Sequence, residues 1–328
     1  MPTIIIILVI LALLFAFLNG MHDSRNVVST VISSRAFSPG VALGITALAE
    51  FSGPFIFGVA VAQAIGRGIV DSEAVNERVL IVALASSILW NLVTWTIRVP
   101  SSSSHALIGG LLGAVSMRAG AQAVQVAGLL RILISLFASP IIGFVVGFIF
   151  LRIILALSWR ATPRINEFFK NSQLLTAIAL GISHGSNDGQ KTMGIISLAL
   201  FTGGYLGSFT VPLWVIVLSA TALALGTTVG GWRLIHQVGG SFYKIRPVDG
   251  FTTQLASAVV IISASLAGGP VSATQVINSA IMGVGTAERA SKVRWGIVQE
   301  IITGWIFTIP ATVFLAAGIY LLSIRFIP

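Results

Sequence analysis

Cysteine is absent from the 328 residues, which excludes disulfides and thiolate metal sites and leaves the redox compartment open. Charge is scarce too: 9% of the residues are Asp, Glu, Lys or Arg, against roughly 25% in a soluble globular domain. Such a chain cannot cover itself with a hydrated surface. The little charge present is lopsided, 19 Lys and Arg against 10 Asp and Glu for a formal net charge of +9. These basic residues sit mainly in short gaps between apolar runs, so they read as the loop bias of a membrane protein and not as a nucleic-acid footprint. No triad or metal-ligand cluster stands outside the motifs described below, which argues against an enzyme.

Apolar sequence takes the place of charge. Hydrophobic residues make up 55% of the chain and the mean hydropathy is +0.98. Runs long enough to cross a hydrocarbon core recur, and about ten to twelve embedded segments of about 20 residues would consume the length, leaving no room for a soluble domain. The expectation is an all-α, multi-pass protein of the cell membrane. Thr3 to Leu18 lacks a basic n-region and an Ala-x-Ala exit, so it is expected to be retained and not cleaved.

Two polar knots interrupt this pattern. Ser183 to Gly194 puts His184, Asn187, Asp188, Gln190 and Lys191 between apolar flanks, and Asn19 to Asn26, which includes His22, Asp23 and Arg25, follows the first apolar run. Polar backbone at membrane depth is tolerated only inside protein or beside a water-filled cavity, so half-helices meeting at an unwound, ion-binding break are expected at each knot. A charge at the bilayer centre costs about 2.5–3.5 kcal/mol on insertion scales. Asp23, Glu50, Asp188 and Lys191 should therefore be paired or functional. Asp188 and Lys191, three apart, can neutralise each other on one helical face. Carboxylate and carbonyl oxygens suit sodium, while a carboxylate or His184 could carry a proton.

Pro100-Ser101-Ser102-Ser103-Ser104-His105 and Pro270-Val271-Ser272-Ala273-Thr274-Gln275 each open a Gly-containing apolar stretch. Both have the pattern of a short re-entrant helix whose N-terminus is dressed with hydroxyls. Free N–H groups and the positive dipole end there attract anions; the alternative is ordinary capping or interhelical packing. The motifs repeat. Asp23 and Asp188 are 165 positions apart, and Pro100 and Pro270 are 170 apart. The chain thus divides into membrane repeats at 1–157 and 174–328, joined by a basic cytoplasmic linker at 158–173 that carries Arg160, Arg164 and Lys170. The loop Arg67 to Arg78 is acidic and its counterpart Gly230 to Asp249, with Arg233, Lys244 and Arg246, is basic. Opposite charge at equivalent loops implies opposite sides, hence inverted repeats.

His184-Gly-Ser-Asn-Asp-Gly-Gln-Lys-Thr-Met-Gly-Ile-Ile, Asn19-Gly-Met-His-Asp, Gly230-Gly-Trp-Arg, Pro100-Ser-Ser-Ser-Ser-His-Ala and Pro270-Val-Ser together resemble the inorganic phosphate transporter (PiT) family of secondary transporters. The resemblance implies phosphate symport driven by sodium or protons, no organic cofactor and, in many members, a homodimer. It implies a coupling-cation site at Asp23, Asn26, Asn187, Asp188 and Glu50, with sodium at Asp23, Asn187 and Asp188. Phosphate would lie among Ser102, Ser103, Ser104, His105, Ser272, Thr274 and Gln275, with His22, His184, Gln190 and Lys191 in support. The sequence departs from the family pattern at His22, Arg25, Gln254 and Gln275. The last two stand where a glutamate and a histidine are frequent, which leaves the coupling ion open and sulfate as the alternative oxyanion.

Overall fold

The computed structural model describes residues 2–34, 36–97, 101–237, 246–293 and 295–324; Pro100, Lys244 and the side chain of Arg233 fall outside the described residues. Twelve α-helices account for most of them, and the one β contact among them is an isolated bridge between Val70 and Val124. The first half comprises α1 (Thr3–Ser33), α2 (Pro39–Phe57), α3 (Ala60–Gly68), α4 (Glu77–Thr96), α5 (Ser103–Ala119) and α6 (Val126–Leu157). The second comprises α7 (Ile165–His184), α8 (Gln190–Thr202), α9 (Leu213–Gln237), α10 (Pro247–Leu266), α11 (Ala273–Glu288) and α12 (Gly296–Ser323). Seven helices are long and apolar enough to cross a membrane. At 1.5 Å per residue the 31 residues of α1 reach about 46 Å, beyond a hydrocarbon core of about 30 Å. The 17 residues of α5 and 16 of α11 stop short of it, as re-entrant helices must.

The duplication is visible element by element. Helices α4, α5 and α6 start 170 positions before α10, α11 and α12, and a 3-10 turn precedes the last helix of each half. The three most extensive helix pairings cross between the halves, although α7 also packs on α10 and α4 on α5. Helix α1 lies along α9 while α2 lies along α7, and α6 lies along α11 while α12 lies along α5. The repeats thus share one interior rather than forming two domains. Glycines set the closest approaches: a Cβ on Gly20 would strike the carbonyl of Leu223, and one on Gly185 the carbonyl of Glu50. Small residues let membrane helices touch backbone to backbone, and here they bring the knots up against α9 and α2.

Three expectations change. Helix α1 runs unbroken through Asn19–Asn26, because those side chains find partners on other helices and leave the backbone ladder whole. The second knot is also continuous, as a π-helical turn, Gly185–Gly189, between α7 and α8. A π turn keeps its backbone bonded i→i+5 and inserts one residue, so it re-aims side chains without unwinding. The unwound break lies instead between α2 and α3, at Gly58 with φ +75°. Gln190 closes it, accepting from the N–H groups of Val61 (2.8 Å) and Ala62 (3.2 Å) and donating to the Gly58 carbonyl (2.6 Å). The mid-chain link is also shorter than 158–173, since helix α7 begins at Ile165. Phe169 and Gln173 are buried, and Gln173 accepts from Ser34 (2.7 Å) and donates to the Pro247 carbonyl (3.1 Å).

Candidate functional site

The π turn aims His184, Asp188 and Lys191 at one locus between the two hairpins. His184 Nδ1 lies 2.8 Å from Glu50 Oε1, and its Nε2 lies 3.0 Å from Asp188 Oδ2 and 3.5 Å from Asp23 Oδ2. Asp188 pairs through its other oxygen with Lys191 and accepts from Asn19 Nδ2 at 3.2 Å. Lys191 Nζ also donates to Ser104 Oγ (2.6 Å) and to the Val271 carbonyl (2.8 Å). Ser104 Oγ in turn reaches that carbonyl at 3.0 Å. A single fully buried ammonium thus ties the tips of both hairpins to the knot.

The first knot completes the arrangement. Thr274 Oγ1 donates to Asp23 and accepts from Asn26 Nδ2 at 3.0 Å, while Ser103 donates to Asn19 Oδ1. The locus holds three carboxylates against one ammonium and one imidazole. With the carboxylates ionised it is short of positive charge by one unit when His184 carries two protons and by two when it is neutral. A neutral imidazole has one N–H, so it cannot donate to Glu50 and Asp188 at once. Ligand atoms of Asp23, His184 and Asp188 lie within 4.8 Å of one another, close enough to hold one cation.

The remaining expected residues make their contacts elsewhere. Both amide atoms of Asn187 are engaged by the second hairpin: Oδ1 accepts from Val271 N (3.0 Å), and Nδ2 donates to Ser265 Oγ (2.9 Å) and the Gly269 carbonyl (3.2 Å). Its amide is thus spent on the end of α10 and the second hairpin. Ser102 is the N-cap of α5, accepting from His105 N, and Ser272 holds the equivalent place before α11 without a side-chain cap bond. Gln275 accepts from Trp305 Nε1 at 2.9 Å. His105 is fully buried with neither ring nitrogen bonded among the described residues, its ring 5.9 Å from Phe137. His22 stands beside the locus, its ring 5.4 Å from that of Trp95. Gln254 bonds Thr30 and Thr176, joining helices and not touching the locus.

Asn19 was legible and overlooked. It sits 165 positions before His184, the offset that relates Asp23 to Asp188. The same contacts that pair Gly185 with Glu50 and Gly20 with Leu223 make Leu223 the counterpart of Glu50. The duplicated scaffold therefore carries one asymmetric cluster, with Glu50 from one half and His184 and Lys191 from the other.

A cavity of about 120 Å³ adjoins the locus, lined by Asn19, His22, Asp23, Asn91, Thr94, Trp95, Ser101 and Ser103. Its walls come from α1, α4 and the start of the first hairpin.

A family model described as "Phosphate transporter family" matches residues 19–316. A Rhizobium meliloti (strain 1021) protein named "Probable low-affinity inorganic phosphate transporter" is 42% identical, over 95% of this chain and 94% of its own length. A Bacillus subtilis (strain 168) protein of the same name is 40% identical, over 96% of each. Among solved structures, one described as "The sodium-dependent phosphate transporter" superposes with a TM-score of 0.88 at 22% identity, covering 99% of this chain and 100% of its own.

Proposed function

The chain belongs to the phosphate transporter family, and on that premise we propose that it imports inorganic phosphate across the cell membrane by alternating access, driven by symport of a cation. Lys191 carries the reading: one buried ammonium between two hydroxyl-bearing helix N-termini is where a tetrahedral oxyanion meets charge, N–H and O–H donors together. We place Ser103, Ser104, Ser272 and Thr274, the hydroxyls at the two hairpin tips, around such an anion. Ser102 and Gln275 hold the hairpins in shape, and His105 backs the first hairpin from its buried face. An arriving anion would take Lys191 from Asp188, leaving that carboxylate in need of another counterion.

The cation answers that need. We assign it to Asp23 and Asp188, whose oxygens suit sodium, with Asn26 and Thr274 fixing Asp23 and with Asn187 acting indirectly by docking the second hairpin. The description of the structural neighbour as sodium-dependent agrees with this choice. A proton is the second reading, favoured by His184 between Glu50 and Asp188, where one proton can be shared or lost. Asp23→Asn is the test. Under the sodium reading it raises the sodium concentration needed for half-maximal phosphate uptake, whereas unchanged sodium dependence removes Asp23 from the cation site.

A further inference from the structure

The corner where α6 turns into α7 has no part in the scheme above. On α6, Arg131 and Arg152 are both exposed, and no charged residue lies between them. At 1.5 Å per residue the two arginines stand about 32 Å apart along the helix, which matches a hydrocarbon core of about 30 Å. The segment after Arg152 therefore lies at headgroup depth. Its surface is nonetheless far from hydrophilic: Leu157 is 81% exposed, Trp159 72% and Phe168 59%. Large apolar side chains interleaved with cations suit the membrane interface, where one part of each side chain meets lipid and another meets water.

Charge at the corner is as one-sided as its apolar exposure. Arg152, Arg160, Arg164 and Lys170 stand against a single carboxylate, Glu167, and among the described residues none of the four cations forms an ion pair. Two of them lie over rings instead: the Arg160 guanidinium is 4.4 Å from the Trp159 ring centre, and that of Arg152 is 5.8 Å from Phe148. Stacking occupies the face of a guanidinium and leaves its N–H fork free, and that fork matches a phosphate. The corner is also anchored. Backbone bonds from Ala161 to Ser158 and from Ile165 to Thr162 close its turns, and Phe169, beside the exposed Phe168, is buried in one cluster with Leu151 of α6, Val248 of α10 and Val284 of α11.

We propose that the α6–α7 corner binds the headgroup of an anionic phospholipid, with Arg152, Arg160 and Arg164 on its phosphate and Leu157, Trp159 and Phe168 in the boundary of its acyl chains. The buried side of the corner packs on α10 and α11, so a lipid held there braces the second hairpin from outside the transport locus. This surface does not depend on the phosphate reading above.

The test is native mass spectrometry of the full-length protein in detergent, titrated with phosphatidylglycerol, phosphatidylcholine or inorganic phosphate. Phosphatidylglycerol should bind more tightly than phosphatidylcholine, and excess inorganic phosphate should not displace it. Each basic residue near an anionic surface strengthens the attraction about fivefold, so the triple variant Arg152→Gln, Arg160→Gln, Arg164→Gln should bind phosphatidylglycerol about a hundredfold more weakly. Arg131→Gln, at the other end of α6, should leave that affinity unchanged. If the triple variant does not fold, Arg160→Gln alone, at an exposed turn, is read for the fivefold loss. Undiminished phosphatidylglycerol binding in the variants, equal binding of phosphatidylcholine, or displacement of the lipid by inorganic phosphate overturns the proposal.

Discussion

Asp188→Asn separates what the central ion pair does for the fold from what it does for transport. Asp188 and Lys191 are buried to 1% and 0% exposure, and the substitution leaves the ammonium with Ser104 Oγ and the Val271 carbonyl, both neutral, as acceptors. Breaking a buried pair by removing one partner costs about 3–5 kcal/mol. Lys191→Met leaves Asp188 with His184 and Asn19, so its cost falls at the lower end of that range. The double variant has no orphaned charge at either position. Its destabilisation should fall short of the sum of the singles by about 1–3 kcal/mol. Thermal unfolding of the purified variants, followed by intrinsic tryptophan fluorescence, reads the order: each single variant below the wild type, and the double variant well above the sum. Gradient-driven phosphate uptake should be lost in all three, including the double variant that regains stability. Single variants that unfold with the wild type would refute the pairing. Normal uptake by Asp188→Asn would refute its place in the cation site.

Further outcomes follow from individual contacts. Gly185→Ala drives a methyl into the Glu50 carbonyl, with backbone on both sides and nothing flexible to yield, so α2 must leave α7; a sharp fall in folded protein on size-exclusion chromatography is expected. Thr274→Val removes the hydroxyl between Asp23 and Asn26 and should raise the coupling-cation concentration for half-maximal uptake about tenfold, the worth of one hydrogen bond to a charged group. Gln275→Leu strips only the acceptor of Trp305 Nε1; thermal unfolding should show a loss of about 1 kcal/mol, with the phosphate KM unshifted in uptake assays.

Much of this was legible in the sequence because membrane burial makes polarity conspicuous. Asp23, Glu50, Asp188 and Lys191 stood out against apolar flanks, and the structure gathers all four within one hydrogen-bonded locus. The 170-residue offset of the hairpins survives as matching helix starts at Ser103 and Ala273. What escaped notice were properties of the packed molecule. A polar stretch need not unwind its helix when other helices supply partners, so α1 stays whole at Asp23 and the real break falls at Gly58, where the glycine carries a positive φ and Gln190 stands in for the missing backbone bonds. The engagement of both Asn187 amide atoms by the end of α10 and the second hairpin depends on which helix faces which. The exchange of partners between halves, α1 with α9 and α6 with α11, is invisible to a reading of local pattern.

The central claim is that a cation gradient drives phosphate through this locus. Its most direct test is uptake of radiolabelled phosphate into proteoliposomes holding the purified protein, under an inward sodium gradient and separately under an inward proton gradient. Accumulation above equilibrium under the sodium gradient, abolished by Asp188→Asn, is the expected result, and accumulation under the proton gradient alone would move the coupling role to His184 and Glu50. No accumulation under either gradient, or accumulation of sulfate in place of phosphate, would contradict the claim.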